Sequence, residues 1–561
     1  MMSSGRLLAP WCAALAVALC AGCDHRSLES GRDAGHEAGA ELGAAPPGQG
    51  GDAGPAPADV ASLPAPGVDA GADVPAATDV LVVAPEAGAA PDAAADIGAA
   101  AHDAPADSSA RDVGAVEVSD HDTPPTYLAT LKLRTMGDGP ATAMASDGSL
   151  FVAGSFRVPT DFDPGPASDL RTPLGVSDAF VTKLNPDGSY AWTLTFGGVN
   201  SQTFATTMAV SDDALVIAGG FTDDVDFDPG PAVQTRHAGD PGQYAGFVLK
   251  LTPAGAFVWQ SGFVGTSGCM GRSVALDADG SVYVGGGFSS LCDFDPGPGV
   301  DSHLAFLDEN GFLVKLGADD GHEVWLRTLA GDGCAGYLQS ITVASDGRVW
   351  ATGAVSAACT FGGVAAPATS GDLAALIAAV TPAGDVRSFL SINGATGFAI
   401  AGAPDGSVYL GGAVAGVATV DFDPTAGVSI RSVASGDRDT TGFVLKLGPT
   451  AAFRWVNLQS HATTVALAAT DEGGVLALVA PVPDEQQTTL LIITKLAANQ
   501  TVAWSVSVPG TGAGVASIVA GASTFAIAGG VDSDVAGVDV EPGAAGDFVQ
   551  GGSSFVSRYS F

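Results

Sequence analysis

Residues 147–198 read DGSLFVAGSFRVPTDFDPGPASDLRTPLGVSDAFVTKLNPDGSYAWTLTFGG, and the same sentence returns along the chain with words changed or dropped. A fixed period of this kind is the signature of a repeat architecture and precedes any residue-level reading. Each unit holds four apolar phrases. Phrase a alternates, as in Ala141-Thr-Ala-Met-Ala145, Thr207-Met-Ala-Val210, Ser273-Val-Ala-Leu276 and Ser340-Ile-Thr-Val343. An Asp-Gly turn follows at Asp147-Gly148, Asp279-Gly280, Asp346-Gly347 and Asp405-Gly406, a strong short-range hairpin signal. Phrase b reads LFVAGSF, LVIAGGF, VYVGGGF, VWATGAV and VYLGGAV. Phrase c is of the FVxKL type, with Lys183, Lys250, Lys315 and Lys446, and phrase d is marked by Trp192, Trp259, Trp325, Trp455 and Trp504. The lysines advance by roughly 65 residues, within or a little above the range of propeller blades.

Phrases a, b and c each occur about seven times, the last phrase a starting near Val515. After the last phrase c, Phe555 to Tyr559, the chain stops at Phe561, so that unit has no phrase d of its own. A stray segment beginning at Tyr127 precedes the first phrase a, and it aligns with the phrase d of unit three, Val324-Trp-Leu-Arg-Thr-Leu329. The N-terminus is therefore expected to supply the outer strand of the last blade, which pairs the two ends and leaves no ladder open. The expectation is an all-β, seven-bladed β-propeller over residues 127–561. An open β-solenoid would not need this permutation.

The phrases DFDPGP, FVxKL and GxxxW resemble the bacterial secreted β-propeller repeat family, often labelled SBBP, most clearly in units one to three and five. That resemblance implies an extracytoplasmic propeller and no particular reaction. The phrase Gly317-Ala-Asp-Asp-Gly321-His-Glu-Val-Trp325 is also similar to the Trp-docking motif of quinoprotein dehydrogenases and of an outer-membrane assembly lipoprotein, where the indole packs between blades.

Ahead of the repeats the composition changes. Arg6 and the apolar run Leu7–Leu19 form a short export signal, too short for a comfortable membrane span. Its end, Leu19-Cys20-Ala21-Gly22-Cys23, resembles a bacterial lipobox, which implies a leader over 1–22 and a lipid on Cys23. The departure is Cys20 where leucine is usual, and an ordinary signal peptide cut after Ala21 or Gly22 is the alternative. Residues 23–126 are rich in Ala, Gly, Pro and Asp, with no aromatic side chain. Such a segment buries too little apolar surface to offset chain entropy and is expected to be a disordered stalk, with an r.m.s. reach of about 55 Å. The formal net charge of -39 argues against nucleic acid as a partner. The expected location is a bacterial cell envelope, on the outer membrane or cell surface, with the lipid in the membrane and the protein a monomer.

In a propeller the d–a and b–c loops share one rim, and the b–c loops here are long. Four cysteines fall on that rim. Cys269 and Cys292 flank phrases a and b of unit three, and Cys334 and Cys359 take the matching places in unit four. Equivalent positions in an exported protein predict the disulfides 269–292 and 334–359. A zinc site would need C-x-x-C pairs that are absent.

The second constellation is Asp161-Phe-Asp163-Pro-Gly, repeated as Asp226-Phe-Asp228, Asp293-Phe-Asp295 and Asp421-Phe-Asp423, with a degenerate copy at Asp539-Val-Glu541. Two carboxylates on one side of an extended strand suit calcium, but that ion takes 6–8 oxygens and each copy supplies too few alone. The structural reading turns the phenylalanine inward and makes Pro-Gly a type II turn capped by aspartate. No cofactor is expected beyond that calcium alternative.

The chain has no HExxH, GxSxG or P-loop motif. His237, His303, His322 and His461 read as loop or surface residues in different units, and Gly510–Gly514 lacks the strand–helix context of a dinucleotide loop. The expected function is a binding or scaffolding module for a protein or glycan ligand. A propeller enzyme acting on glycans or lactones, and a purely structural envelope protein, are the alternatives.

Overall fold

The computed structural model describes residues 123–561 except 134–138, 240–241, 266–267, 298, 306–308, 332, 357–358, 367–372, 434–439, 483–489, 510–512, 532–537, 540–547 and 550–552. The leader, Cys23, the stalk up to residue 122 and Glu541 lie outside the described residues, and Thr126, assigned to the stalk from the sequence, begins the first strand.

Phrases a to d become four antiparallel strands per blade, inner to outer. Blade one runs Ala141–Met144, Leu150–Phe156, Asp178–Leu184 and Tyr190–Phe196. Blade two runs Thr203–Val210, Leu215–Phe221, Ala245–Leu251 and Phe257–Gly265, and blade three Cys269–Leu276, Val282–Phe288, Asn310–Leu316 and Glu323–Ala330. Blade four runs Ala335–Val343, Val349–Ser356, Ala374–Val380 and Val386–Asn393. Blade five runs Ala395–Gly402, Val408–Ala415, Thr440–Leu447 and Phe453–Ser460, and blade six Ala462–Ala469, Val475–Pro481, Leu490–Leu496 and Val502–Pro509. Blade seven takes Ala513–Ala520, Thr524–Val531 and Ser553–Ser560 from the end of the chain, and Thr126–Leu133 from its beginning. Thr130 pairs with Ser557, their hydroxyls 2.7 Å apart. Each inner strand contacts the next, and that of blade seven contacts that of blade one, so the ring of seven is closed as the sequence predicts.

Strands b and c are sandwiched between neighbouring blades. They therefore read as near-continuous apolar runs, and in blades two and three every residue of both is buried. The glycines of phrase b have a specific cause. The inner strands of blades two to seven each carry a one-residue bulge, as between Ala205 and Thr207 or Gly271 and Ser273. The bulge pushes a carbonyl against strand b. A Cβ on Gly219, Gly286, Gly353 or Gly412 would lie 1.9–2.1 Å from the carbonyl oxygen of Phe204, Met270, Tyr337 or Thr396 respectively.

The Lys and Trp of phrases c and d clasp consecutive blades. Trp259 Nε1 and Lys250 Nζ both donate to the Ala318 carbonyl in the c–d turn of blade three. Trp325 Nε1 and Lys315 Nζ do the same to Pro382 in blade four. Arg558 stands at the lysine position of blade seven and donates to Pro186 in blade one at 2.6 Å. Blade four departs from the pattern. Ala379 and Ser388 replace the Lys and Trp, and the strand-b position that holds Phe151, Tyr283 or Tyr409 in other blades holds the larger Trp350, fully buried.

Candidate functional site

The long b–c loops fold into two-stranded hairpins, which the sequence reading placed as simple turns on the rim. In blade three the hairpin is Leu291–Asp293 with Ser302–Leu304; in blade two, Asp224–Asp226 with Thr235–His237. Each reaches back to the outer strand of the preceding blade. Asp293 pairs with Val264 and Cys292 with Gly265, Thr360 pairs with Ala330, and Asp226 bridges Gly197. The hairpins thus strap the gaps between blades. They also leave Val233, Val300 and Val428, at matching positions, strongly exposed.

The aspartates of each D-x-D copy are turned to their own loop. Asp161 Oδ1 accepts from the amides of Asp163 and Asp169, and Asp163 Oδ1 accepts from the Gly165 amide at 2.7 Å. Asp293 and Asp295 repeat this with Asp295, Asp301 and Gly297, and Asp226 and Asp228 with Asp228, Gln234 and Gly230. Asp421 and Asp423 do so with Asp423, Ser429 and Thr425. The hydroxyl of Ser168, with these amides, holds the Asp161 carboxyl below the usual carboxylate range. The expected type II turn does not form, because Gly165, Gly230 and Gly297 do not take positive φ. The aspartate side chain supplies the acceptor for the glycine amide instead, so the backbone need not invert. Among the described residues, no group of three or more His, Cys, Asp and Glu is arranged to hold a metal ion. The intervening phenylalanines do turn inward. Phe294 is fully buried, its ring 5.3 Å from Phe288 and 4.8 Å from Phe312, and Phe162 and Phe227 repeat the arrangement.

Both disulfides are present. Cys269 is bonded to Cys292 and Cys334 to Cys359, with Cα separations of 6.0 and 5.1 Å. Each ties the start of an inner strand to the base of the hairpin of its own blade. The histidines are less scattered than the sequence reading had them. His303 and His322 both belong to blade three, paired with Asp301 at 3.1 Å and Asp320 at 3.3 Å.

On the inner strands the bulged Arg272 pairs with Glu309 at 2.7 Å and stands 4.5 Å over the Tyr337 ring. Burial pushes the Glu309 carboxyl up and Arg272 pulls it back down. This carboxylate is committed to a partner rather than presented as an acid or base.

The grooves between blades differ at one repeat position, two residues after the clasping Trp. Leu194 packs over Gly255 of the next blade, and Arg327 packs over Gly384 and donates to its carbonyl at 2.8 Å. Between blades two and three the same place holds Ser261, whose hydroxyl donates to the Gly321 carbonyl at 2.6 Å. The small side chain leaves a polar cavity of about 440 Å³. One wall is Arg236, which donates to the side chain and carbonyl of Gln260; the other is Asp320 and His322, with Pro296 and Gly297 of the blade-three hairpin between them. Sequence reasoning missed this groove. Its only signal is that Ser261 stands where the neighbouring repeats carry Leu194 and Arg327.

No family model matches the chain. An uncharacterized WD repeat-containing protein of Acanthamoeba polyphaga mimivirus is 23% identical over 204 residues, covering 32% of this chain and 14% of that relative's length. Among solved structures, the Dos1 propeller matches 78% of this chain and 95% of its own at 9% identity and a TM-score of 0.37. The Neurospora crassa Pan2 WD40 domain matches the same shares at 8% identity and a TM-score of 0.38. The class is set by the blades themselves: the chain carries a seven-bladed β-propeller.

Proposed function

We propose that this chain is a lipid-anchored, extracytoplasmic binding module of a bacterial envelope, and that it engages a protein or glycan through the groove between blades two and three. The observation that carries the reading is the cavity opened by Ser261 in a wall whose neighbouring grooves are filled. Its lining offers a guanidinium, an amide, a hydroxyl, a carboxylate and an imidazole around open space, which suits hydrogen bonding to a polar partner. The anchor rests on the lipobox resemblance of Leu19–Cys23 and on the aromatic-free stretch that follows. One lipidated cysteine carrying several acyl chains would hold the module firmly at a membrane.

The test of the anchor is fractionation of cells expressing the full chain and its Cys23→Ala variant. The full chain is expected in the membrane fraction and open to protease on intact cells, and Cys23→Ala in the soluble extracytoplasmic fraction. Equal partitioning of the two would remove the lipid from this reading. A chain inaccessible on intact cells would remove its surface location.

A further inference from the structure

The innermost strands of the ring differ at one position, two residues before the bulged one. Blades five, six and seven hold Thr396, Thr463 and Gly514 there. Blades two, three and four hold Phe204, Met270 and Tyr337, each half-buried, on the rim shared by the d–a and b–c loops. The residue just before strand c adds Tyr244 in blade two and Glu309 in blade three.

These side chains form one continuous platform. The rings of Phe204 and Tyr244 stand 5.9 Å apart, edge to face, and the Tyr244 hydroxyl donates to Gln202 Oε1 at 3.0 Å. A Cβ on Gly220 would lie 2.6 Å from Phe204 Cζ and 3.0 Å from Met270 Sδ, so ring and thioether lie together over that glycine. A Cβ on Gly287, the strand partner of Met270, would lie 2.0 Å from Glu309 Oε1. Glu309 in turn binds Arg272 at 2.7 Å, and the guanidinium stands 4.5 Å from the centre of the Tyr337 ring. The glycines of phrase b thus seat the ring and the carboxylate close against the sheet.

We propose that this platform is a binding site for a neutral pyranose oligosaccharide, separate from the groove at Ser261. A pyranose presents C–H faces, which pack on aromatic rings, and hydroxyls around its edge, which bond to polar side chains. The platform alternates in the same way, from Tyr244 and Phe204 through Met270 to the Glu309–Arg272 pair and Tyr337. The pair is internally neutral, and a charged ligand would have to break it and leave one partner unmatched. A short row of such contacts gives an affinity of about 1 mM, read in solution rather than by capture through washes.

The experiment is saturation-transfer NMR of the full chain with cellohexaose, maltohexaose and mannohexaose, each titrated to about 10 mM, and with hexagalacturonate as the charged comparison. At least one neutral hexasaccharide is expected to show saturable transfer, and hexagalacturonate none. Phe204→Thr and Tyr337→Thr copy Thr396 and Thr463 of other blades. Each is expected to bind about tenfold more weakly at unchanged melting temperature. A second reading needs no variant: the ¹³C-labelled methyl signal of Met270 is expected to move on titration. Ser261→Arg is expected to bind as wild type does, which keeps this site distinct from the groove. The proposal is overturned if no neutral saccharide binds, if hexagalacturonate binds in preference, or if the Met270 signal stays fixed at saturation. Wild-type affinity in the folded threonine variants, or loss of binding in Ser261→Arg, would also overturn it.

Discussion

The indole of Trp259 donates to the carbonyl oxygen of Ala318 at 2.9 Å, across the seam from blade two to blade three. That contact and its copies fasten the outer half of a blade to a turn of the next, and the pairing of Thr126–Leu133 with Ser553–Ser560 closes the ring. Trp325 and Trp455 make the same bond, to Pro382 and Ala498.

Trp259→Phe keeps most of the apolar bulk and removes one of the two donors to the Ala318 carbonyl, which keeps Lys250. It is expected to cost about 1 kcal/mol. Trp350, on strand b of blade four, has a buried Nε1 with no partner among the described residues. Trp350→Phe gives up no hydrogen bond and is expected to cost less than Trp259→Phe in matched denaturant titrations. Equal losses would contradict the clasp.

Gly286→Ala tests the bulge. Its Cβ would lie 2.1 Å from the Met270 carbonyl oxygen, backbone that cannot swing aside as a side-chain tip can. A loss of about 1–3 kcal/mol is expected. The exposed Gly363, whose Cβ would meet nothing, is the nearby comparison, although its φ of +83° adds local strain. A smaller loss at Gly286 than at Gly363 would show that the inner strand can move.

The two disulfides close loops with sequence separations of 23 and 25. Each is expected to contribute about 3 kcal/mol through the unfolded chain. Mass mapping of the unreduced protein should recover 269–292 and 334–359, and reduction should lower the melting temperature. Cross-pairing between blades three and four would contradict the geometry.

The D-x-D loops carry an acid signature with a definite sign. Asp161 is held below its ordinary value by Ser168 and by the amides of Asp163 and Asp169, so its contribution is present above the unfolded carboxylate value, near 4, and is lost as pH falls through the lower folded value. Asp161→Ala should loosen the 161–171 loop at neutral pH, seen as faster local proteolysis, and should remove that part of the acid sensitivity. Because these oxygens serve the loop's own amides, saturating calcium is expected to leave the melting temperature unchanged. A calcium-dependent rise that the Asp161, Asp226, Asp293 and Asp421→Ala variants abolish would reassign the loops as ion sites.

Much of the fold was legible because repetition exposes it. The unmatched segment at Tyr127 gave away the ring closure, and the matched places of four cysteines gave away their pairing. The destination of the hairpins was not legible. Nothing in Asp226-Phe-Asp228 says that the segment will bridge Gly197 in the previous blade, because that contact joins residues from two units. The type II turn was misjudged because Pro-Gly was read as backbone alone, while the Asp163 carboxylate supplies the acceptor. The groove was invisible for a related reason. Ser261 is unremarkable until the fold aligns it with Leu194 and Arg327 over the turn glycines Gly321, Gly255 and Gly384.

That alignment supplies the most direct test of the binding site. Ser261→Arg copies Arg327, and its guanidinium can reach the Gly321 carbonyl as Arg327 reaches that of Gly384. The measurement is affinity capture of envelope proteins and glycans by the full wild-type chain and by Ser261→Arg, with the melting temperature of each recorded alongside. The expected result is a ligand retained by wild type and lost by Ser261→Arg at unchanged melting temperature. Retention of that ligand by a folded Ser261→Arg would contradict a binding site between blades two and three.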